Sequence, residues 1–214
     1  MKIFICGDST AASYAPERAP LTGWGQVLGE LLPQAQVVNK AMAGRSTKSY
    51  LSEGRLVEVE KELQGGDLLL IQFTHNDTSD LVWRHTDANT SFMNNLAIFV
   101  DTARLRGAVP VLLTPIPGRC WQDGVFQDSH GEYPEAIRRL AMLKNVPLVE
   151  VYHPAVEQLR AMGEEASRKL YMHVEAGVYA DYPNGQKDDV HTQRAGAEFY
   201  ARLVADGLRT LKLV

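Results

Sequence analysis

The stretch Lys2-Ile3-Phe4-Ile5-Cys6-Gly7-Asp8-Ser9-Thr10 sets the pattern for the whole chain. An apolar run without polar alternation, Lys2–Cys6, stops at a glycine and gives way to polar side chains. A short continuous run of this kind, bounded by turn residues, marks a strand covered on both faces. Four more follow: Gln36–Asn39, Asp67–Phe73, Val109–Thr114 and Pro147–Val151. Helical patterns lie between them over Gly23–Leu32, Arg55–Leu63, Ser91–Arg106 and Pro134–Lys144, and two more follow over Pro154–Met162 and Thr192–Leu211. In the last of these, Tyr200, Leu203, Val204, Leu208 and Leu211 recur at helical spacing, an apolar stripe for packing on a sheet. Strands alternating with helices build right-handed βαβ units. The expected fold class is therefore α/β, a three-layer α/β/α arrangement with a parallel sheet. No repeat, low-complexity tract or linker interrupts it, so residues 1–214 read as one domain.

The bulk composition narrows the function classes. The chain has 214 residues, 45% hydrophobic and 22% charged, which suits a globular domain with a sizeable core. A net charge of −4 argues against nucleic acid as a main partner. No run approaches the roughly 18 apolar residues of a membrane span. The opening apolar run stops at Gly7, too short for a signal-peptide core, and Cys6 and Cys120 make no disulfide framework. Together these predict a cytoplasmic protein. His85, His130, His153 and His173 show no metal-ligand spacing, so no metal and no cofactor are expected. There is no Gly-x-Ser-x-Gly elbow, no phosphate-binding P-loop and no dinucleotide fingerprint.

In open α/β sheets, ligands bind beyond the carboxyl ends of the strands. The first strand is followed by Gly7-Asp8-Ser9-Thr10, the second by a segment carrying Ala43-Gly44-Arg45-Ser46, and the third by Thr74-His75-Asn76-Asp77. Asp188-Asp189-Val190-His191 precedes the last helix. These residue types have matching chemical roles. A serine hydroxyl needs an adjacent base to act as a nucleophile, and a histidine supplies one near neutral pH. A carboxylate holds the imidazole in the right tautomer, and one turn could bring Asp188 beside His191. The oxyanion of an acyl-transfer intermediate needs fixed donors, for which the Ser9 and Gly44 backbone N–H groups and the Asn76 amide are candidates. Taken singly, Ser9 reads as a cap, Gly44 as a turn glycine and Asn76 as a turn residue bonding its own backbone. Only the four blocks in order argue for chemistry. Asp8 reads as a structural residue of its loop.

These blocks resemble those of the SGNH (GDSL-type) hydrolases. Gly7-Asp8-Ser9, Ala43-Gly44-Arg45-Ser46, His75-Asn76-Asp77 and Asp188-x-x-His191 are similar to the family's nucleophile, glycine, asparagine and Asp-x-x-His blocks. The resemblance implies a flavodoxin-like five-stranded parallel sheet. It also implies Ser9, Asp188 and His191 as catalytic residues, with Ser9, Gly44 and Asn76 forming the oxyanion hole. Asp189 is the alternative carboxylate but fits the family spacing worse. Thr114-Pro-Ile-Pro117, Gly131–Ala136 and Tyr182-Pro-Asn-Gly185 are similar to the rhamnogalacturonan acetylesterase branch. That branch implies removal of O-acetyl groups from a pectin-derived saccharide. Thr74 stands where the branch more often has glycine, which would narrow the space beside Asn76. Arg45, His75, Arg119 and Trp121 are the candidate substrate contacts, the arginines for an acidic sugar. Trp121, Phe126 and Tyr133 either stack on sugar, pack the long segment Pro115–Tyr133 or make an oligomer contact. Competing readings are an acetylesterase for xylan or another sugar, a lysophospholipase or thioesterase, and a non-catalytic saccharide-binding module.

Overall fold

The computed structural model describes residues 1–214. The chain runs β1 (Lys2–Gly7), α1 (Trp24–Leu31), β2 (Gln36–Asn39), α2 (Thr47–Ser52), α3 (Arg55–Glu62) and β3 (Leu68–Gln72). It continues through α4 (Met93–Leu105), β4 (Val109–Leu113), β5 (Trp121–Gln122), β6 (Val125–Phe126), α5 (Tyr133–Lys144) and β7 (Leu148–Val149). The last part is α6 (Tyr152–Met162), α7 (Glu164–Ser167), β8 (Tyr171–Val174), β9 (Gln186–Thr192) and α8 (Arg194–Thr210). The five expected strands form one parallel sheet in the order β2-β1-β3-β4-β7.

The period of two along each strand divides the core into two layers. Ile3, Ile5, Leu68, Leu70, Val111 and Leu113 pack under α1, α6 and α8. Phe4, Cys6, Leu69, Ile71 and Leu112 pack under α3, α4 and α5. Both strand faces are covered, which is why these runs carry no polar alternation. From β1 the chain winds one way to β2 and then the other way to β3. The β1/β3 edge is thus the switch point, where a crevice opens at the carboxyl ends.

The structure departs from the sequence reading in five places, the first being the antiparallel pair β8–β9 ahead of the last helix, where no strand is expected. Helix α2 has no apolar periodicity to announce it. A reciprocal capping box between Ser46 and Ser49 starts it. Helix α4 begins at Met93, because a wide turn over Ala88–Phe92 precedes it. The long segment after β4 holds the hairpin β5–β6, turned by Asp123 and Gly124 at φ 49° and 74°. Asp-Gly between short strands is a readable signal for this turn. On α8 the buried stripe is Gly196, Ala197, Tyr200, Ala201, Val204, Ala205 and Leu208, while Leu211 is exposed. Small side chains bring this helix close, and a Cβ on Gly196 would collide with the Leu170 carbonyl.

Candidate active site

Ser9 stands in the first turn after β1. Asp8 Oδ1 accepts from Thr10 N at 2.9 Å and Thr10 Oγ1 at 2.7 Å, which curls the chain so that Ser9 sits at the apex. Asp8 is buried and serves the loop. Gly7 makes the turn possible, since a Cβ there would lie 2.8 Å from the Gln72 carbonyl oxygen. Tyr14 Oη donates to the Ser9 carbonyl at 2.7 Å from the outer side.

His191 arrives from the far end of the chain on β9, a strand that pairs with β8 through a register irregularity between Tyr171 and Met172. The irregularity lets Asp188 turn back on its own strand. Its Oδ1 accepts from Val190 N at 2.8 Å and His191 N at 2.9 Å, and its Oδ2 lies 2.7 Å from His191 Nδ1. His191 Nε2 lies 2.9 Å from Ser9 Oγ. Since a carboxylate only accepts, Nδ1 carries the proton and the Nε2 lone pair faces the serine hydroxyl. The span between Ser9 and His191 is set by bonds from the Ser9 side of the chain to β9. Thr22 N donates to the Thr192 carbonyl at 2.9 Å, and Thr192 Oγ1 donates to the Thr22 carbonyl at 2.6 Å.

Electrostatics reinforce the pair. Burial works against ionisation of Asp188, but hydrogen bonds from the His191 ring, the His191 N–H and the Val190 N–H overcome it and hold the carboxyl at about 2. The same bond raises His191 above its ordinary 6.5, against the opposing pull of burial. Asp189 points elsewhere. Its Oδ1 lies 2.7 Å from Arg119 Nη1 and 2.7 Å from His173 Nε2.

Beside the serine lies a set of fixed donors. The Ser9 and Gly44 N–H groups donate to no other group of the protein. Gly44 holds φ +79°, a left-handed conformation that favours glycine. Asn76 is gripped on both ends of its amide. Nδ2 donates to the Arg45 carbonyl at 3.0 Å, and Oδ1 accepts from Arg84 Nη1 at 3.0 Å. One Nδ2 hydrogen remains for a ligand. Asp77 fastens this block to the glycine block, accepting from Thr47 N at 3.1 Å, Thr47 Oγ1 at 2.5 Å and Thr86 Oγ1 at 2.9 Å. Burial pushes its carboxyl up to about 7 against those donors.

Ser9, Gly44, His75, Asn76, Arg84, Asp188 and His191 line a cleft of about 430 Å³, with Ala43 and Val190 as its apolar side chains. Across His191 a second hollow of about 260 Å³ carries Tyr14, Arg18, Leu21, Met172 and Tyr182.

The expected substrate contacts divide. His75 lines the cleft. Its Nε2 lies 3.1 Å from the Ile116 carbonyl, and its ring meets His130 edge-on at 4.4 Å. Burial pushes both imidazoles below their ordinary pKa, so the pair stays neutral. The Arg45 guanidinium is held by Glu53 at 3.1 Å and the Ala43 carbonyl at 2.9 Å, bracing the glycine loop. Arg119 and Trp121, also expected as substrate contacts, do not line the cleft. Arg119 is 5% exposed and spends its donors on Asp189, Ser167 Oγ and the Glu164 carbonyl. Trp121 packs edge-on against Phe126 at 5.3 Å in the β5–β6 hairpin. Thr74 does not narrow the cleft; it is buried and its hydroxyl turns onto the Phe73 carbonyl. Arg84 escaped the sequence reading. It lies in an irregular segment with no motif around it, and only the fold brings it to Asn76.

A parallel α/β sheet carrying serine, imidazole and carboxylate in line at its switch point, beside unspent N–H donors, defines a carboxylic ester hydrolase. The family model of the GDSL-like lipase/acylhydrolases matches residues 5–199, and the chain belongs to that family. Over 215 residues it is 37% identical to the rhamnogalacturonan acetylesterase RhgT of Bacillus subtilis (strain 168), covering 100% of this chain and 91% of that one. It is 34% identical to YesY of the same strain, a probable rhamnogalacturonan acetylesterase, covering 99% and 94% of the two chains. Among solved structures, protein YXIM_BACsu of Bacillus subtilis superposes with a TM-score of 0.83 at 25% identity; the match covers 99% of this chain and 56% of that longer one. A catalytic mutant of Axe2, an acetylxylan esterase from Geobacillus stearothermophilus, shares the fold with a TM-score of 0.66 at 17% identity, covering 97% and 93%.

Proposed function

We propose that this protein is a serine-dependent carbohydrate O-acetylesterase acting on rhamnogalacturonan-derived saccharides. The observation that carries the chemistry is the relay from Ser9 Oγ to His191 Nε2 at 2.9 Å and from His191 Nδ1 to Asp188 at 2.7 Å. Ser9 Oγ attacks the acetyl carbonyl carbon while His191 Nε2 takes the hydroxyl proton. Asp188 stabilises the imidazolium. The N–H groups of Ser9 and Gly44 and the free Nδ2 hydrogen of Asn76 hold the oxyanion. Collapse breaks the bond to the sugar oxygen, which leaves with the proton from His191. Water, giving a proton to the same nitrogen, then attacks the acetyl-serine, and acetate leaves as the bond to Ser9 Oγ breaks and His191 returns the proton to that oxygen.

Substrate size follows from the lining. Ala43 and Val190 suffice to contact a methyl group but offer no run of apolar surface for a long acyl chain. The adjoining hollow adds the apolar side chains Leu21 and Met172 together with Tyr14, Tyr182 and Arg18, groups that suit a hydroxylated ring. The saccharide class is supported by 37% identity along the full chain to RhgT. Two unpaired cysteines, buried Cys6 and exposed Cys120, support a reducing, cytoplasmic setting. The test is acetate release from acetylated rhamnogalacturonan oligosaccharides and acetylated xylan, with octanoyl esters for comparison. Acetylated rhamnogalacturonan should be the best substrate, and Ser9→Ala should abolish its turnover. Preference for the octanoyl ester, or wild-type turnover by Ser9→Ala, would refute the proposal.

A further inference from the structure

We propose that Arg84 is the acid-recognition residue of the cleft, binding the carboxylate of a uronate sugar in the saccharide whose acetyl group lies at Ser9. The inference rests on the acetylesterase reading above and names the group that reading leaves unassigned. Arg84 lines the cleft with Ser9, Asn76 and His191. Its Nη1 donates to Asn76 Oδ1 at 3.0 Å, and its guanidinium lies 5.3 Å from the centre of the Trp83 ring. These two contacts hold the guanidinium beside Asn76. Nη2 has no partner in the protein and is not among its buried unpaired atoms.

The charge is what calls for an explanation. The chain has 26 acidic against 22 basic residues, yet no carboxylate pairs with this half-buried guanidinium. The other arginines near the two hollows are neutralised: Arg45 by Glu53 at 3.1 Å, Arg119 by Asp189 at 2.7 Å and Arg18 by Asp181 at 3.3 Å. Within the cleft, Asp188 is committed to His191 and His75 stays neutral. Holding the Asn76 carbonyl oxygen requires only a neutral donor. Arg84 Nε is buried without a partner and Nη1 is engaged, so Nη2 is the donor left to face a carboxylate, which the guanidinium matches in charge.

The experiment uses one preparation of acetylated galacturonate–rhamnose oligosaccharides, with the uronate carboxyls either free or methyl-esterified, and p-nitrophenyl acetate as a neutral reference. kcat and KM are measured for the wild type, Arg84→Gln and Arg84→Lys. The wild type should favour the free acid by about ten- to a hundredfold in kcat/KM, mainly through KM, the scale of one charge-assisted hydrogen-bonded contact. Arg84→Gln should abolish that preference, beyond any loss it shares with p-nitrophenyl acetate through a looser Asn76. Arg84→Lys should retain part of it. Equal turnover of acid and ester by the wild type overturns the inference. So does an Arg84→Gln enzyme that keeps the full preference while losing activity uniformly, since Arg84 would then act only through Asn76. If neither saccharide releases acetate while p-nitrophenyl acetate is cleaved, the saccharide reading fails and takes this inference with it.

Discussion

Replacing Asp188 by Asn tests the site where chemistry and stability separate. In the wild type, Oδ1 accepts from the Val190 and His191 N–H groups at 2.8 and 2.9 Å, while Oδ2 meets His191 Nδ1 at 2.7 Å. An asparagine can keep its oxygen on the two backbone donors. Its NH2 group then faces Nδ1 and forces the imidazole into the opposite tautomer, with a proton on Nε2. That nitrogen can no longer accept from Ser9 Oγ. The comparable change in serine proteases lowers kcat by about 10⁴, or about 5.5 kcal/mol of barrier. Stability should change far less. A carboxyl held at about 2 rather than 3.8 contributes at most about 2.5 kcal/mol, present above pH 3.8 and lost as pH falls towards 2. Part of that survives in the variant through the retained backbone bonds. We therefore expect kcat/KM on p-nitrophenyl acetate at pH 8 to fall by about 10³–10⁴, with Tm lowered by no more than about 5 °C. The control is Asp189→Asn. It should keep kcat/KM within the same order of magnitude but cost about 1–3 kcal/mol, because Arg119 loses its charged partner. If Asp188→Asn retains activity within tenfold of wild type and Asp189→Asn does not, the assignment of the two carboxylates is wrong.

Four further outcomes are expected. Asn76→Ala should lower kcat by about 10²–10³ with a smaller change in KM, and an unchanged kcat in steady-state assays would remove this amide from the oxyanion hole. kcat/KM should fall as pH drops through a midpoint above 6.5, because the raised His191 pKa means the imidazolium persists to higher pH; a profile flat from pH 5 to 8 contradicts His191 as base. The His191–Asp188 pairing has the opposite sign for stability, full below 6.5 and lost as pH rises through the folded value, whereas buried His75 and His130 stabilise above 6.5 and cease to as pH falls. Gly196→Ala should lower Tm by several degrees in calorimetry, since its Cβ would collide with the Leu170 carbonyl; no change in Tm would refute the close approach of α8.

Local sequence was sufficient wherever one element decides its own fate. The runs from Ile3 to Cys6 and from Leu68 to Ile71 can only be strands covered on both sides, because nothing polar interrupts them. The turn at Gly7–Thr10 is equally local, since Asp8 bonds Thr10 two residues on. Elements whose stability is borrowed were not legible. Helix α2 depends on a capping box and on Asp77, thirty residues further along the chain. The strand β9 carries Lys187, Asp188 and Asp189 in a row with no apolar alternation, and exists because β8 pairs with it.

What the sequence determined by itself is the set of parts: a parallel sheet, a serine after its first strand, a glycine turn and an amide after the next two, and an Asp-x-x-His block before the last helix. Those follow from short-range sterics and periodicity. Only the tertiary structure decided which parts meet. It chose Asp188 over Asp189 through a β-irregularity, spent Arg119 in the interior, and carried the unneutralised Arg84 to the serine's side of the cleft. Such choices depend on distances across the sheet, set by packing and long-range hydrogen bonds that no local stretch of chain encodes.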